Sequence, residues 1–316
     1  MTGPILIIAG PTGVGKSALG MCLARRAGGE IIAADCMQVY RGMDVGTGKP
    51  SREERQAVPH HLLDVCDPAE SFSAAEFAGR ARGLVEEIRG RGRLPVLVGG
   101  TGLYLRAFLK GGLAGPGADP AIRTRLSSEA EASGLLALHA RLRRLDPATA
   151  DRVQAGDRFR IIRALELWEI TGRRPSEIRP ALWDPPRTGV SLVLVLTRER
   201  AELYRLIDLR SRRMWEGGLV EEVRRLLRAG CDPAVRALQS LGYRQALACL
   251  QGRCSEREAL ADMQRATRNF AKRQLTWFRR EPAAEWITVS GWDWVEPLAE
   301  AVCARLAARE AARVKS

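Results

Sequence analysis

The sequence has few of the residues from which metal centres and disulfide frameworks are built. It contains three histidines, two of them adjacent, and seven scattered cysteines that never form a Cys-x-x-Cys pair. This argues against a histidine-based metal centre and a disulfide scaffold, and it suits a reducing compartment. No apolar run approaches the roughly 20 residues that span a bilayer. The run at residues 4–9 passes directly into a glycine-rich loop, which indicates a core strand and not a signal peptide. We therefore expect a soluble cytoplasmic protein.

Acidic residues are in deficit, with 37 Asp and Glu against 50 Lys and Arg, a net charge of +13. Solubility alone does not require this excess, which predicts a polyanionic partner such as nucleic acid or an anionic membrane surface. A GC-rich genome would explain Arg in place of Lys, but not the excess of cations over acids. With 316 residues and 46% hydrophobic composition, the chain can form two compact units, or one domain with an insertion.

The first hundred residues alternate short apolar runs with helical stretches, which is typical of a parallel α/β sheet. We predict strands at residues 5–9, 30–34 and 95–98, a helix at 16–26, and a second helix that Ser73 and Glu76 open as a capping box. Arg-rich helical segments then replace the strands. The sheet resumes at residues 190–196, and a further strand is expected at 286–289. We predict a core formed by residues 1–112 and 190–316, and a mostly helical insertion at 113–189.

The stretch Gly-Pro-Thr-Gly-Val-Gly-Lys-Ser at residues 10–17 matches G-x-x-x-x-G-K-[ST] in full, directly between a strand and a helix. Its glycines let backbone amides surround phosphate oxygens, and the helix N-terminus adds partial positive charge. In this pattern Lys16 bridges the outer phosphates and the Ser17 hydroxyl ligates magnesium. A structural glycine turn is the alternative. The expected fold class is α/β, with a P-loop NTPase-like parallel sheet core and an inserted, mostly helical domain.

Two further clues follow predicted strands at the same edge of the sheet. Asp35 comes just after the second strand, where the ligands of open α/β sheets gather. It can be a catalytic base, or a cap or metal-shell ligand. Thr101 lies in the Gly-Gly-Thr-Gly stretch after the third strand, where it can face the same ligand or cap the next helix.

A basic stripe is expected on the helix near the C-terminus. At about 100° per residue, Arg265, Arg268, Lys272 and Arg279 fall in one sector. Met263, Phe270 and Trp277 are expected to share a separate, core-facing sector. A solvated charged face usually mixes the two signs, whereas here acids stand only at the margins. The helix is therefore predicted to lie along a phosphate backbone.

Seven segments, in order along nearly the whole chain, resemble the bacterial tRNA dimethylallyltransferases, also called isopentenyl-diphosphate:tRNA transferases. They lie at residues 10–17, 34–50, 59–64, 99–104, 157–166, 241–244 and 271–279. The chain departs from the family pattern at Cys36, where Ser is usual, at Gly13-Val14 in the phosphate loop, and at Asn269-Phe270. The pair His60-His61 matches the family, but the sequence suggests no role for it beyond packing or capping.

The resemblance implies transfer of a dimethylallyl group from its diphosphate to the exocyclic amine of the adenine beside the tRNA anticodon. Mg²⁺ is the implied cofactor. The implied partners are the anticodon stem-loop of tRNA and dimethylallyl diphosphate, no membrane is involved, and the chain is expected to be a monomer. The target base is expected to leave its stack and enter a pocket.

The same resemblance implies roles for individual residues. Asp35 is the expected base, and Thr101 and Arg210 the further catalytic residues; without the resemblance, Arg210 would be taken for a surface residue on an amphipathic helix. The expected diphosphate-binding residues are Gly10, Pro11, Thr12, Gly13, Val14, Gly15, Lys16 and Ser17, and Ser17 is also the metal ligand. The expected tRNA-binding residues are Asp35, Cys36, Met37, Gln38, Thr101, Arg123, Phe159, Arg160, Ile161, Ile162, Arg163, Gly242, Tyr243, Arg244, Arg265, Arg268, Lys272 and Arg279.

Three other functions are compatible with parts of the sequence. A P-loop small-molecule kinase explains the phosphate loop and Asp35, but not the basic stripe. An RNA-binding NTPase without transfer chemistry explains the loop and the charge. An adenylate prenyltransferase acting on a free nucleotide does not explain the long insertion. Whether ATP competes for the loop stays open.

Overall fold

The computed structural model describes residues 3–110, 116–178, 192–282 and 284–314. The chain divides into two compact units, one formed by Met1–Leu109 with Thr188–Ser316 and the other by Lys110–Arg187. None of the helices described is long and apolar enough to cross a membrane.

The first unit is built on a parallel sheet of six strands in the order β3-β2-β4-β1-β5-β6. The strands are β1 (Leu6–Ala9), β2 (Glu30–Ala33), β3 (His60–His61), β4 (Pro95–Gly99), β5 (Leu192–Thr197) and β6 (Ala284–Thr288). All five neighbouring pairs are parallel. Because β1 is central and the chain continues on both sides of it, the carboxyl end of β1 is a switch point, where open α/β sheets bind ligands.

Nine α-helices and one π-helical turn belong to the described part of this unit. They are α1 (Lys16–Arg26), α2 (Arg52–Ala57), α3 (Ala74–Gly90), α4 (Gly102–Leu109), α10 (Arg200–Met214), the π-helical turn Trp215–Leu219, α11 (Val220–Arg228), α12 (Tyr243–Leu250), α13 (Glu256–Phe278) and α14 (Val295–Val314). Alternate residues of β1, such as Leu6 and Ile8, pack with Leu23 of α1 and Val302 of α14. A second cluster joins Met43 after β2 to Leu219, Tyr243 and Met263. This second cluster lies beside the carboxyl edge of the sheet.

The second unit contains five helices in its described part: α5 (Pro120–Ser133), α6 (Leu135–Leu145), α7 (Pro147–Ala150), α8 (Arg158–Thr171) and α9 (Pro175–Ile178). Aspartates begin three of them, since the side chains of Asp119, Asp146 and Asp157 accept backbone N–H groups of α5, α7 and α8. Leu126, Leu142 and other apolar residues form a separate core. Aspartate N-caps and a small hydrophobic core of its own therefore stabilise this unit.

The predicted fold class is confirmed: the chain is α/β, with a parallel sheet and helical insertions. The strands at residues 5–9, 30–34, 95–98 and 286–289 are found within two residues of the predicted ends. Residues 190–191 of another predicted strand lie outside the described residues, and β5 covers the remainder. Strand β3 was not predicted, because two residues are too few for a period of two to be visible.

Two local expectations are wrong in detail. Ser73 caps α3 by accepting the Glu76 N–H, but the Glu76 carboxylate forms an ion pair with Arg80 and does not return to Ser73. On α13, Met263 is buried, whereas Phe270 and Trp277 are only half-buried. The buried stripe of α13 instead includes the polar residues Thr267 and Gln274.

The histidine pair has a structural explanation. His60 and His61 form β3, and the His61 Nε2 lies 2.6 Å from Oε2 of Glu30, a residue that is 2% exposed. Burial raises the pKa of Glu30, but hydrogen bonds from Arg91 and His61 outweigh it and hold that pKa below its usual range. Glu30 begins β2, so this cluster lies at the amino edge of the sheet, away from the phosphate loop.

Candidate active site

The phosphate loop has the conformation that its glycines allow. Gly10, Gly13 and Gly15 adopt φ values of 139°, 80° and 110°, which are unfavourable for residues with a Cβ atom. A Cβ on Gly10 would also lie 2.5 Å from the Leu196 carbonyl oxygen. Helix α1 begins immediately afterwards at Lys16. The loop therefore directs a helix N-terminus and its free amides toward the carboxyl edge of the sheet.

Three charged side chains from distant parts of the sequence influence one another electrostatically beside this loop. Burial lowers the pKa of Lys16 to about 7, Asp35 acts to raise it, and Arg210 acts to lower it further. Burial also lowers the pKa of Arg210, against the opposing effect of Asp35. The Lys16 Nζ donates a 2.7 Å hydrogen bond to the Pro11 carbonyl. Lys16 and Arg210 both interact electrostatically with Asp35, and such neighbouring basic groups favour an added anion such as a diphosphate.

The turn after β2 fixes Asp35 and Gln38 in different ways. Asp35 Oδ1 accepts the Met37 N–H at 2.8 Å, while no hydrogen-bond donor within the described chain is assigned to Oδ2. The Gln38 Nε2 donates to the carbonyls of Thr47 and Gly48, at 3.3 and 3.1 Å. Its amide hydrogens are therefore used, and Oε1 remains as an acceptor. The turn therefore presents two hydrogen-bond acceptors to a ligand: a carboxylate oxygen of Asp35 and the amide oxygen of Gln38.

Thr101 lies at the start of α4, beside the same turn. Its Oγ1 accepts the Cys36 N–H at 3.0 Å, and its hydroxyl lies within hydrogen-bonding reach of the Cys36 side chain, where it acts to lower the pKa of that thiol. The glycines around it allow close packing, because a Cβ on Gly99 would collide with the Ala34 backbone and one on Gly102 with the Trp277 ring. Burial raises the pKa of the Cys36 thiol to about 11, so this cysteine stays a neutral thiol.

Gln274 on α13 connects the two glycine loops, a function that sequence reasoning missed. It is 7% exposed, its Oε1 accepts the Thr12 N–H at 2.9 Å, and its Nε2 donates to the Gly100 carbonyl at 2.9 Å. A buried amide that both donates and accepts is needed to satisfy these two groups. In the sequence, Gln274 stands within segment 271–279, which resembles the family, as an uncharged residue on the predicted basic helix.

Arg198 supports the other side of the phosphate loop and was also missed. Its Nε donates to the Val14 carbonyl at 3.1 Å, and its Nη2 donates to the Gly291 carbonyl at 2.8 Å. The guanidinium lies 4.9 Å from the ring centroid of Trp292 and 5.8 Å from that of Trp294. Because Arg198 directly follows β5, the end of this strand fixes the position of the Arg198 side chain beside the phosphate loop.

The predicted tRNA-binding residues of the first unit divide by exposure. Arg244, Arg265, Lys272 and Arg279 are exposed. Arg268 is half-buried and forms an ion pair with Asp208, and Arg265 pairs with Asp262. Lys272 and Arg279 have no ion-pair partner among the described residues.

The predicted tRNA-binding segment 242–244 is mostly buried, and Tyr243 is its largest side chain. Its side chain is 0% exposed, and Gly242 before it is also buried. A side chain without exposed surface cannot contact RNA in this conformation. Of the predicted segment 242–244, only Arg244 is exposed.

In the second unit the predicted tRNA-binding residues divide in the same way. Ile161 and Ile162 are buried in its core, whereas Phe159 is 59% exposed and Arg160 is exposed. The isoleucine side chains therefore offer little or no surface to RNA, and their predicted contact with tRNA stays a prediction.

Arg123 and Arg163 are engaged inside the second unit. Arg123 donates to both carboxylate oxygens of Glu166, at 2.8 and 3.0 Å, and Arg163 donates to Oε2 of the same residue at 2.6 Å. Glu166 is fully buried, and losing either partner would leave part of its charge uncompensated. These two arginines organise the helical unit in this structure.

The residues present fit a magnesium ion carried mainly by phosphate oxygens. Ser17, in the first turn of α1, is exposed at the loop. No group of three or more His, Cys, Asp or Glu side chains that could hold a metal occurs among the residues described. Mg²⁺ is commonly held by one or two protein ligands together with substrate phosphates and water.

Comparison with known proteins identifies the family. The family model of IPP transferases matches residues 38–281. A tRNA dimethylallyltransferase of Heliobacterium modesticaldum is 48% identical over 91% of this chain and 90% of its own length. The crystal structure of the full-length tRNA isopentenylpyrophosphate transferase of Bacillus halodurans is 37% identical, with a TM-score of 0.71 over 98% of this chain and 99% of that one.

A eukaryotic dimethylallyltransferase solved in the act of modifying tRNA gives a TM-score of 0.75 at 26% identity, covering 91% of this chain and 74% of that one. The family match, the sequence relatives and the solved structures agree with one another. This chain belongs to the IPP transferase family, the tRNA dimethylallyltransferases.

Proposed function

We propose that this enzyme binds dimethylallyl diphosphate at residues 10–17 and moves the dimethylallyl group to the exocyclic amine of the adenine beside the tRNA anticodon. The observation that carries the proposal is a phosphate loop in its glycine-dependent conformation, with Lys16, Asp35 and Arg210 close enough to influence one another electrostatically. This grouping provides cations for a leaving diphosphate and a carboxylate for a proton within one site.

On the donor side, the loop amides and Lys16 surround the diphosphate. Arg210 adds a second, partly buried cation, and the Thr101 hydroxyl donates to an oxygen of the same group. As the bond between the allylic carbon and the diphosphate oxygen breaks, negative charge grows on that oxygen. Preorganised donors of this kind are worth about 3 kcal/mol each in known enzymes.

On the acceptor side, the adenine amine is a weak nucleophile because its lone pair is delocalised into the ring. Asp35 Oδ2 takes one amine proton, and the Oε1 of Gln38 accepts the hydrogen bond of the other. The new bond joins the amine nitrogen to the allylic carbon, and diphosphate carries away the electron pair of the broken bond. Asp35 then returns its proton to solvent, so protons and electrons balance.

Magnesium is the proposed cofactor, with the Ser17 hydroxyl as its protein ligand. When bound, Mg²⁺ neutralises part of the diphosphate charge. The short protein ligand set leaves the remaining coordination positions to phosphate oxygens and water.

The proposed tRNA surface consists of exposed cations and aromatics. In the first unit these are Arg244, Arg265, Lys272 and Arg279, and the second unit separately offers Phe159 and Arg160. Since the described residues of the phosphate site all belong to the first unit, we propose that a monomer is active. Its proposed location is the cytoplasm, where its acceptor tRNA would be found.

A two-label experiment tests the proposal. The protein is incubated with unmodified tRNA and Mg²⁺, in one tube with dimethylallyl diphosphate labelled in the allyl carbon, and in another with ATP labelled in the γ-phosphate. Carbon label in RNA, lost when the target adenine is replaced by guanine, is the expected result. Phosphorus label covalently attached to any acceptor would show a kinase instead.

A further inference from the structure

Glu222 is a fully buried acid that the mechanism above does not use. It lies in the first turn of α11 and is 0% exposed. Its carboxylate accepts three consecutive backbone N–H groups, from Asp44 at 2.9 Å, Val45 at 2.8 Å and Gly46 at 3.1 Å. The Tyr243 hydroxyl donates a fourth hydrogen bond of 2.6 Å. One side chain thus satisfies four donors, three of them from a loop far earlier in the chain.

The loop that Glu222 holds continues directly into the active site. The Thr47 carbonyl accepts hydrogen bonds from Gln38 and Arg210, and the Gly48 carbonyl accepts a second one from Gln38. Gly48 lies against the Arg210 guanidinium so closely that a Cβ atom would collide with it. A displacement of residues 44–46 is therefore transmitted to both Gln38 and Arg210.

Packing leaves this loop little freedom to find another position. A Cβ on Gly46 would lie 2.5 Å from the Tyr243 ring and 2.6 Å from Leu219. Burial and the neighbouring Glu222 raise the pKa of Tyr243, so its hydroxyl stays a donor. A carboxylate that receives several backbone N–H groups in a buried place is a strong anchor, because every donor loses a partner if it is removed.

We propose that Glu222 is a positioning residue for prenyl transfer: through residues 44–48 it sets Gln38 against the acceptor base and Arg210 against the leaving diphosphate. The inference rests on the proposed function of those two residues. It assigns to Tyr243 a supporting role, in place of contact with RNA.

The test compares Glu222→Gln with Glu221→Gln. In Glu222→Gln the introduced amide presents N–H groups where the loop N–H groups need an acceptor, so the loop shifts while the side-chain volume is retained. Glu221 is the neighbouring residue, and its ion pairs with Arg224 and Arg228 lie on the surface. We expect kcat to fall about 30-fold in Glu222→Gln, since misplacement of an ångström costs up to about 100-fold. Glu221→Gln should stay within about twofold of wild type.

A double-mutant cycle with Gln38→Ala separates positioning from loss of stability. If Glu222 acts through Gln38, the loss in kcat of the double mutant is smaller than the product of the two single-mutant losses. Glu222→Gln then lowers kcat only a few-fold further when residue 38 is already Ala. Fully multiplied losses, or a wild-type kcat in folded Glu222→Gln, would overturn the inference. Carbon label transfer by the wild-type protein tests the proposed function independently.

If Glu222→Gln does not fold, Tyr243→Phe takes its place. It removes one hydrogen bond and keeps the ring that packs on Gly46. We expect a loss in kcat of about fivefold, with the same dependence on Gln38. An unchanged kcat in Tyr243→Phe would then count against the inference.

Discussion

Binding of dimethylallyl diphosphate should take up a proton at Lys16. Burial holds the pKa of Lys16 at about 7 in the ligand-free enzyme, below its usual value of 10.5. A diphosphate placed on the loop favours the ammonium form and returns the pKa toward its usual range. Between these two pKa values, the free enzyme binds fewer protons than the complex. Binding therefore consumes a proton in this window and weakens as the pH rises above about 7.

The size of the effect follows from the pKa of about 7. At pH 8 about ten Lys16 amines are neutral for each one that is charged, so about 0.9 proton is taken up per ligand bound, compared with about 0.1 at pH 6. Each pH unit above 7 weakens binding about tenfold, or about 1.4 kcal/mol. The diphosphate adds little to this slope, because a terminal phosphate is almost fully ionised above about pH 7.

Isothermal titration calorimetry in buffers of different ionisation enthalpy measures the proton uptake, with dimethylallyl diphosphate as ligand and no tRNA. Lys16→Arg is the matched control: its guanidinium stays charged, so uptake at pH 8 should fall close to zero while binding persists. An uptake below about 0.2 proton at pH 8 in the wild-type enzyme would refute the reasoning, because Lys16 would then already be charged before binding.

Three further variants test separate parts of the site. Asp35→Asn keeps an acceptor for the Met37 N–H but cannot take a proton, so turnover should fall by about 100-fold or more, with tRNA affinity within about twofold of wild type in filter binding. Lys272→Ala removes one exposed cation and should lower the slope of log affinity against log salt by about one. Gln274→Met leaves Thr12 N–H and the Gly100 carbonyl unpaired, so urea unfolding should give a loss of about 2 kcal/mol, together with a higher KM for the diphosphate substrate.

Each of these variants has a contradicting result and a control. A loss of tRNA affinity above about tenfold in Asp35→Asn would indicate a structural role for Asp35. The slope of Lys272→Ala is compared with that of Arg25→Ala, an exposed cation on α1 outside the basic stripe; equal slopes would remove Lys272 from the RNA surface. A Gln274→Met enzyme with wild-type stability would mean that the two loops do not depend on this amide.

Local features of the fold were predictable because residues close in sequence determine them. The buried strand, the glycine loop and the first turn of α1 follow one another within residues 5–17, so their pattern specifies both the turn and its phosphate chemistry. The parallel sheet followed from the alternation of strands and helices. Asp35 and Thr101 could be expected at one edge because the carboxyl ends of parallel strands share that edge.

Local reasoning could not give the solvent exposure of the predicted tRNA-binding residues, because tertiary packing decides it. Tyr243 stands next to Arg244 in a segment that resembles the family pattern, yet it is fully buried against Glu222. Arg123 and Arg163 were predicted to bind tRNA, and in the structure a buried Glu166 forms ion pairs with both. A buried partner on another helix, as Glu166 is for Arg123, leaves no periodic signal in the sequence.

The sequence by itself determined the phosphate loop, the parallel sheet and the family, since these depend on short contiguous patterns. Only the tertiary structure joined the two glycine loops through Gln274 and placed Glu222 against residues 44–46. These contacts link segments far apart along the chain. Their partners are selected by the packing of whole helices against the sheet, which no local pattern of residues encodes.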